Sequence, residues 1–170
     1  MPESESAREV LLVAHPGRRD IADTARRVGK VFEEAGISLR VLVDEVDTSR
    51  IEAQGVTQGV GSDLQLNVVE FGPEAALGCE LVLVLGGDGT FLRAAEVAQA
   101  ADIPVLGINL GRIGFLAEAE ADHLEDALAR VVRRDYRIEH RMTLDVSVRV
   151  GDRVIEHGWA LNEASIENGS

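Results

Sequence analysis

The chain has one cysteine, Cys79, so no disulfide can form within it, and no CxxC or Cys/His spacing surrounds it to suggest a zinc site. That usage fits a reducing compartment, and the cytoplasm is the expected location. Positive charge is also scarce. With 17 Lys and Arg against 30 Asp and Glu, the formal net charge is −13. Such a balance opposes a broad grip on nucleic acid or an anionic membrane, both of which need clustered basic residues. Small anionic ligands stay admissible through a local pocket or a metal ion. The four histidines, His15, His123, His140 and His157, show no i,i+4 pairing, so a histidine metal site is not expected and they read as surface or loop residues. No apolar run approaches the roughly 20 residues of a membrane helix, and the opening "MPESESAREV" is too acidic and polar for a signal peptide. A soluble protein is expected.

What is present is enough for a real core. The 170 residues are 45% hydrophobic, which suits one full domain with part of another. "EVLLVAH" has strand length and is followed by the breaker "PGRRD"; "IADTARRVGKVFEEAG" then carries apolar residues at helical spacing up to a natural stop at Gly36, and "ISLRVLV" reads as a second strand. Residues 44–66 hold three glycines and no sustained period, and are expected to form a long surface loop. From "LNVVEF" the alternation resumes, with "ELVLVL" and "IPVLGI" as strands and "TFLRAAEVAQA" and "ADHLEDALARVVRRD" as helices. Strands alternating with helices predict an open, mainly parallel sheet with helices on both faces, an α/β domain over residues 1–137.

The pattern then changes. Met142, Leu144, Val146, Val148 and Val150 alternate with polar residues, and Gly151-Asp152 supplies a turn into "RVIEHGWALNEASI". Residues 138–170 are therefore expected to begin a β-rich second domain. A lone two-stranded hairpin is marginal in water, so the expectation is a fragment whose second domain continues beyond Ser170.

The chemistry-bearing stretch is "LVLVLGGDGTFLRAA", where a covered strand runs into glycines and presents Asp88 at the mouth of a helix. In open α/β sheets, ligands sit beyond the carboxyl ends of the strands. Gly86, Gly87 and Gly89 let backbone and ligand approach closely, and a helix start offers free N–H groups to an anion. Asp88 there has three possible uses: holding a metal, abstracting a proton, or ordering the turn by accepting backbone N–H bonds with Thr90 as helix cap. Arg93, placed in the first turn, opposes the helix dipole unless a phosphate binds beside it. A second turn, "GINLGRIGFL", sets Gly107, Gly111 and Gly114 at the same edge, with Phe115 either dropping into the core or facing a base. In "WALNEASI", Asn162 and Glu163 interrupt an apolar strand and either face a cleft, where ligand hydroxyls could serve them, or lie wet on an edge.

Together, "LGGDGTFLRAA", "NLGRIGFL" and "ALNEASI" resemble the NAD kinase family, in order and over nearly the whole chain. The resemblance implies transfer of the γ-phosphoryl group of ATP, or of inorganic polyphosphate, to the adenosine ribose 2′-hydroxyl of NAD, with a divalent metal, Mg²⁺, assisting. It implies Asp88 as general base, Gly87, Gly89, Thr90 and Arg93 as nucleotide contacts, Phe115 beside the adenine, and Asn162 and Glu163 as a dinucleotide-binding pair. Homo-oligomers, dimers or tetramers, are implied as well. The family's further glycine-threonine-serine motif does not occur before Ser170, so the fragment alone is expected to have little activity. Because diacylglycerol kinases carry similar loops, a lipid kinase is one competing reading. A non-catalytic nucleotide-binding module is the other.

Overall fold

The structure, a computed structural model, describes residues 7–14, 19–43, 67–109, 119–120, 123–161 and 164. The chain divides into two compact units, Met1–Tyr136 and Arg137–Ser170. In the first, strands β1 (Glu9–Ala14), β2 (Ser38–Val43), β3 (Asn67–Glu70), β4 (Leu81–Gly86), β5 (Val105–Asn109) and β6 (Ala119–Glu120) form one sheet in the order β3-β2-β1-β4-β5-β6. Every pairing in it is parallel. Helices α1 (Arg19–Glu34), α2 (Asp88–Ala101) and α3 (Leu124–Arg133) lie between the strands in sequence.

The apolar run "LVLVLG" of β4 is explained by its position, since all six residues are buried in a sheet covered on both sides. On one face, Val10, Leu12, Leu83, Leu85 and Ile108 meet Ala25, Val28 and Phe32 of α1 and Leu124, Leu128 and Val131 of α3. On the other, Leu11, Val13, Val82 and Val84 meet Ala94, Val97 and Ala98 of α2, together with Ala75, Ala76 and Cys79 from the turns that join β3 to β4. The helical contacts recur every three or four residues, the spacing that gives each helix one apolar face. A fully buried side chain such as Phe32 or Leu128 adds about 1.5–3 kcal/mol by leaving water. Gly36 ends α1 as expected, at φ +69°. Its N–H bonds Glu33 O at 3.0 Å and that of Ile37 bonds Phe32 O at 2.8 Å, closing the helix with a left-handed residue that glycine adopts without a Cβ penalty.

Two arginines clamp the amino-terminal edge of this sheet. Arg8 donates from Nε to Glu80 Oε2 at 2.7 Å and from its terminal nitrogens to Val132 O at 2.7 Å and Val131 O at 2.8 Å, tying β1 and β4 to the end of α3. The guanidinium beside it holds the Glu80 carboxyl below its ordinary range, and Arg134 adds to the effect at 3.3 Å. Arg40 pairs with Glu9 and donates to Ala75 O at 2.8 Å and Leu77 O at 3.0 Å, fastening the β3–β4 turns.

The second unit is an antiparallel hairpin of β7 (Leu144–Val150) and β8 (Arg153–Ala160), with a register shift between Val148 and Arg149. Gly151 makes the turn at φ +58°. Within this unit β7 shows no alternation in burial: Leu144, Val148 and Val150 are exposed, as are the polar residues between them. The long loop expected at 44–66 lies outside the described residues.

Candidate functional site

Strand order reverses between β1 and β4, so the crevice of this sheet opens beyond the carboxyl ends of those two strands. Ala14 pairs beside Leu85, and Gly86 beside Asn109, which places the glycine-acid loop at that reversal. Gly87 precedes α2 in an extended conformation, φ −110° and ψ −167°, with no side-chain cap. Asp88 is the first helical residue, half-buried, and Phe91 N closes the first turn on Gly87 O at 3.0 Å. The first N–H groups of a helix have no intrahelical carbonyl to take them, which makes the start of α2 a place of positive potential. A carboxylate at this position is favoured by the helix dipole by about 0.3–1 kcal/mol.

The three glycines of the loop differ in what surrounds them. A Cβ on Gly86 would stand 2.7 Å from Thr90 Oγ1 and 2.9 Å from Thr90 Cβ, so this glycine lets Thr90 fold back over the strand end. Gly87 and Gly89 have nothing within 4 Å of the place a Cβ would take, and neither has a left-handed φ. The space over them is open to a ligand.

Three sequence expectations change here. Thr90 is the third residue of α2 and not its cap, because the helix begins at Asp88. Gly89 hides that start from a sequence reading through its poor helix propensity, which costs least in a first turn that has few internal bonds to lose. Arg93 consequently sits in the second turn, where the dipole penalty is weaker, and its guanidinium carbon rests 4.6 Å from the centre of the Phe71 ring. Gly107 lies inside β5, buried and paired with Val84, and not at the sheet edge. Phe115, Asn162 and Glu163 lie outside the described residues, as do Gly111 and Gly114. Phe71 carried no motif in the sequence; a lone aromatic just after a short edge strand gives no periodic signal.

Among the described residues, no three His, Cys, Asp or Glu side chains gather as a metal cage. One carboxylate is too few ligands for a protein-only cation cage, so a Mg²⁺ here would take its other oxygens from substrate phosphates and water.

A doubly wound sheet with a glycine-rich strand-to-helix turn at its reversal defines a nucleotide-binding class of α/β protein. Residues 10–136 match the family described as the ATP-NAD kinase N-terminal domain, and the chain belongs to that family. It is 72% identical to the NAD kinase of Rhodococcus jostii over 169 residues, covering 96% of this chain and 52% of that protein. With the NAD kinase of Nocardia farcinica it shares 62% over 167 residues, covering 96% of this chain and 51% of the relative. The chain therefore spans about half the length of the curated relatives it matches. Its fold is similar to the crystal structure of yeast NADH kinase complexed with NADH, at a TM-score of 0.66 and 19% identity over 92% of this chain and 44% of that one.

Proposed function

We propose that this chain is the α/β part of an NAD kinase and that the whole protein converts NAD to NADP. The observation that carries the reading is Asp88 at the first position of α2, beside the open space over Gly87 and Gly89, in a chain of this family. Asp88 accepts the proton of the adenosine ribose 2′-hydroxyl as its oxygen bonds to the γ-phosphorus of ATP. The bond from that phosphorus to the β,γ-bridging oxygen breaks, and ADP leaves. Inorganic polyphosphate can replace ATP as donor by the same displacement. Most of the work is alignment and charge neutralisation. The helix N–H groups and Arg93 meet phosphate, Thr90 secures the turn that presents Asp88, Phe115 lies against the adenine, and Asn162 and Glu163 take ribose or dinucleotide polar groups. Mg²⁺ carried in on the donor phosphates, beside Asp88, would supply further charge neutralisation.

The chain spans about half the length of its NAD kinase relatives, so the 170 residues alone turn over little, and the whole protein assembles as a dimer or tetramer. Among the described residues no helix is long and apolar enough to cross a membrane; we place the protein in the cytoplasm, with small nucleotides and copies of itself as its partners. The test supplies full-length protein with NAD, ATP and Mg²⁺ and measures NADP by mass spectrometry. The parent is expected to form NADP, and Asp88→Asn is expected to bind NAD while losing at least about 100-fold in kcat. A folded, NAD-binding parent that forms none would make this a binding module. Phosphorylation of diacylglycerol in vesicles would make it a lipid kinase.

A further inference from the structure

Arg93 is not left to find its ligand unaided. Its guanidinium carbon lies 4.6 Å from the centroid of Phe71, the first residue after edge strand β3. Phe71 is 38% exposed, too open for its ring to be a core element, and it contributes to neither of the two buried clusters. Val69, two residues earlier on β3, packs against the cluster under α2, so Phe71 continues the same side of the chain toward that helix. The ring is itself held from behind. β3 pairs with β2 from Asn67 to Glu70, and the turns that follow Phe71 are fastened by Arg40 through Ala75 O and Leu77 O.

We propose that Phe71 is a positioning residue for the phosphoryl-transfer site, holding the Arg93 guanidinium in place to meet a phosphate of the dinucleotide over Gly87 and Gly89. This rests on the kinase reading given above. Arg93 is five residues beyond Asp88, about 7.5 Å along the helix axis, so a phosphate over the helix start lies within the length of an arginine side chain. A free surface arginine has many rotamers to lose on binding an anion. A ring on which the guanidinium already rests removes part of that loss before the ligand arrives, and part of the affinity follows from preorganisation. A guanidinium carries five N–H donors in a fixed fork, a geometry that matches phosphate oxygens.

The experiment compares steady-state kinetics of the full-length parent, Phe71→Leu, which keeps apolar bulk without a π face, and Phe71→Tyr, which restores the face. Phe71→Leu is expected to raise the KM for NAD about 3- to 10-fold with kcat within about twofold, and Phe71→Tyr to return KM to the parent value. In an Arg93→Met background, Phe71→Leu is expected to add less than about twofold. An unchanged KM in Phe71→Leu, failure of Phe71→Tyr to restore it, or the full KM increase persisting without Arg93 each overturns the proposal while leaving the kinase reading intact. A folded parent that makes no NADP overturns both, and that result is read from the parent alone.

Discussion

Gly86→Ala should destabilise the protein, whereas Gly87→Ala and Gly89→Ala should not, although the three glycines sit within four residues of one loop. The new methyl carbon at Gly86 would lie 2.7 Å from Thr90 Oγ1, 2.9 Å from Thr90 Cβ and 3.2 Å from Thr90 Cγ2. Rotating the Thr90 side chain moves Oγ1 and Cγ2 but leaves Cβ where it is, so the first turn of α2 must shift. Overpacking of this kind costs about 1–3 kcal/mol. At roughly 2–4 °C per kcal/mol for a chain of this size, Tm should fall by about 2–12 °C. Gly87 is extended and Gly89 helical, both open to solvent, so alanine fits each backbone. There the substitution is neutral or adds up to about 1 kcal/mol by restricting the unfolded chain. The cost at those two positions appears with ligand: a methyl group in the open space should weaken NAD binding by about 5- to 150-fold, the same 1–3 kcal/mol of crowding now set against the ligand. Thermal melts by circular dichroism and NAD titrations on the parent and three variants measure both. A Gly86→Ala protein that melts with the parent, or a Gly87→Ala protein that loses as much, refutes this division of roles.

Other consequences lie away from the loop. Arg8→Met removes two hydrogen bonds to Glu80 and two to the carbonyls ending α3, and should cost about 2–3 kcal/mol, seen as a lower urea midpoint. Because Arg8 holds the Glu80 carboxyl below its ordinary value, the stabilisation is complete above the unfolded carboxyl pKa near ~4.3 and is lost as pH falls through the lower folded value. Urea midpoints of parent and Arg8→Met should therefore converge as pH is lowered below about 4; a constant gap down to pH 2 contradicts the clamp. Burial pushes the Cys79 thiol up to about 11, so it should resist thiol reagents at pH 8 in the native state and react once the protein unfolds. Rapid native labelling would place Cys79 outside the core.

Sequence periodicity was enough to place most of the parallel sheet because period and burial coincide there. "LVLVL" could be read as a covered strand, and Ala25, Val28 and Phe32 as one helical face, since these residues report directly on a two-sided core. β6, two residues long, offered no period to read. Asp88 was legible through its glycines, but the place where α2 begins was not: Gly-Asp-Gly has the composition of a loop, and only backbone hydrogen bonding makes it a first helical turn. The Phe71–Arg93 contact and the Arg8–Glu80 clamp join residues 22 and 72 positions apart, and no local pattern announces either pairing.

The placement of charge ties these observations together. In a chain of net −13, the described fold commits Arg8, Arg40 and Arg134 to carboxylates at or near the amino-terminal edge of the sheet, away from the glycine loop. Those pairs neutralise acids that would otherwise repel one another where β1, β4 and α3 meet. At the carboxyl edge the helix N–H groups supply positive potential without a basic side chain, and Arg93, resting on Phe71, supplies the one guanidinium the proposed site requires. An acidic protein can in this way present a local anion site while its surface repels nucleic acid and other polyanions. The two edges are also energetically separate. Loss of the Arg8 clamp should lower stability at unchanged KM, and loss of the Phe71 ring should raise KM at unchanged stability. If the two substitutions proved non-additive in either quantity, the edges would have to communicate through the sheet, and the separation argued from their positions would fail.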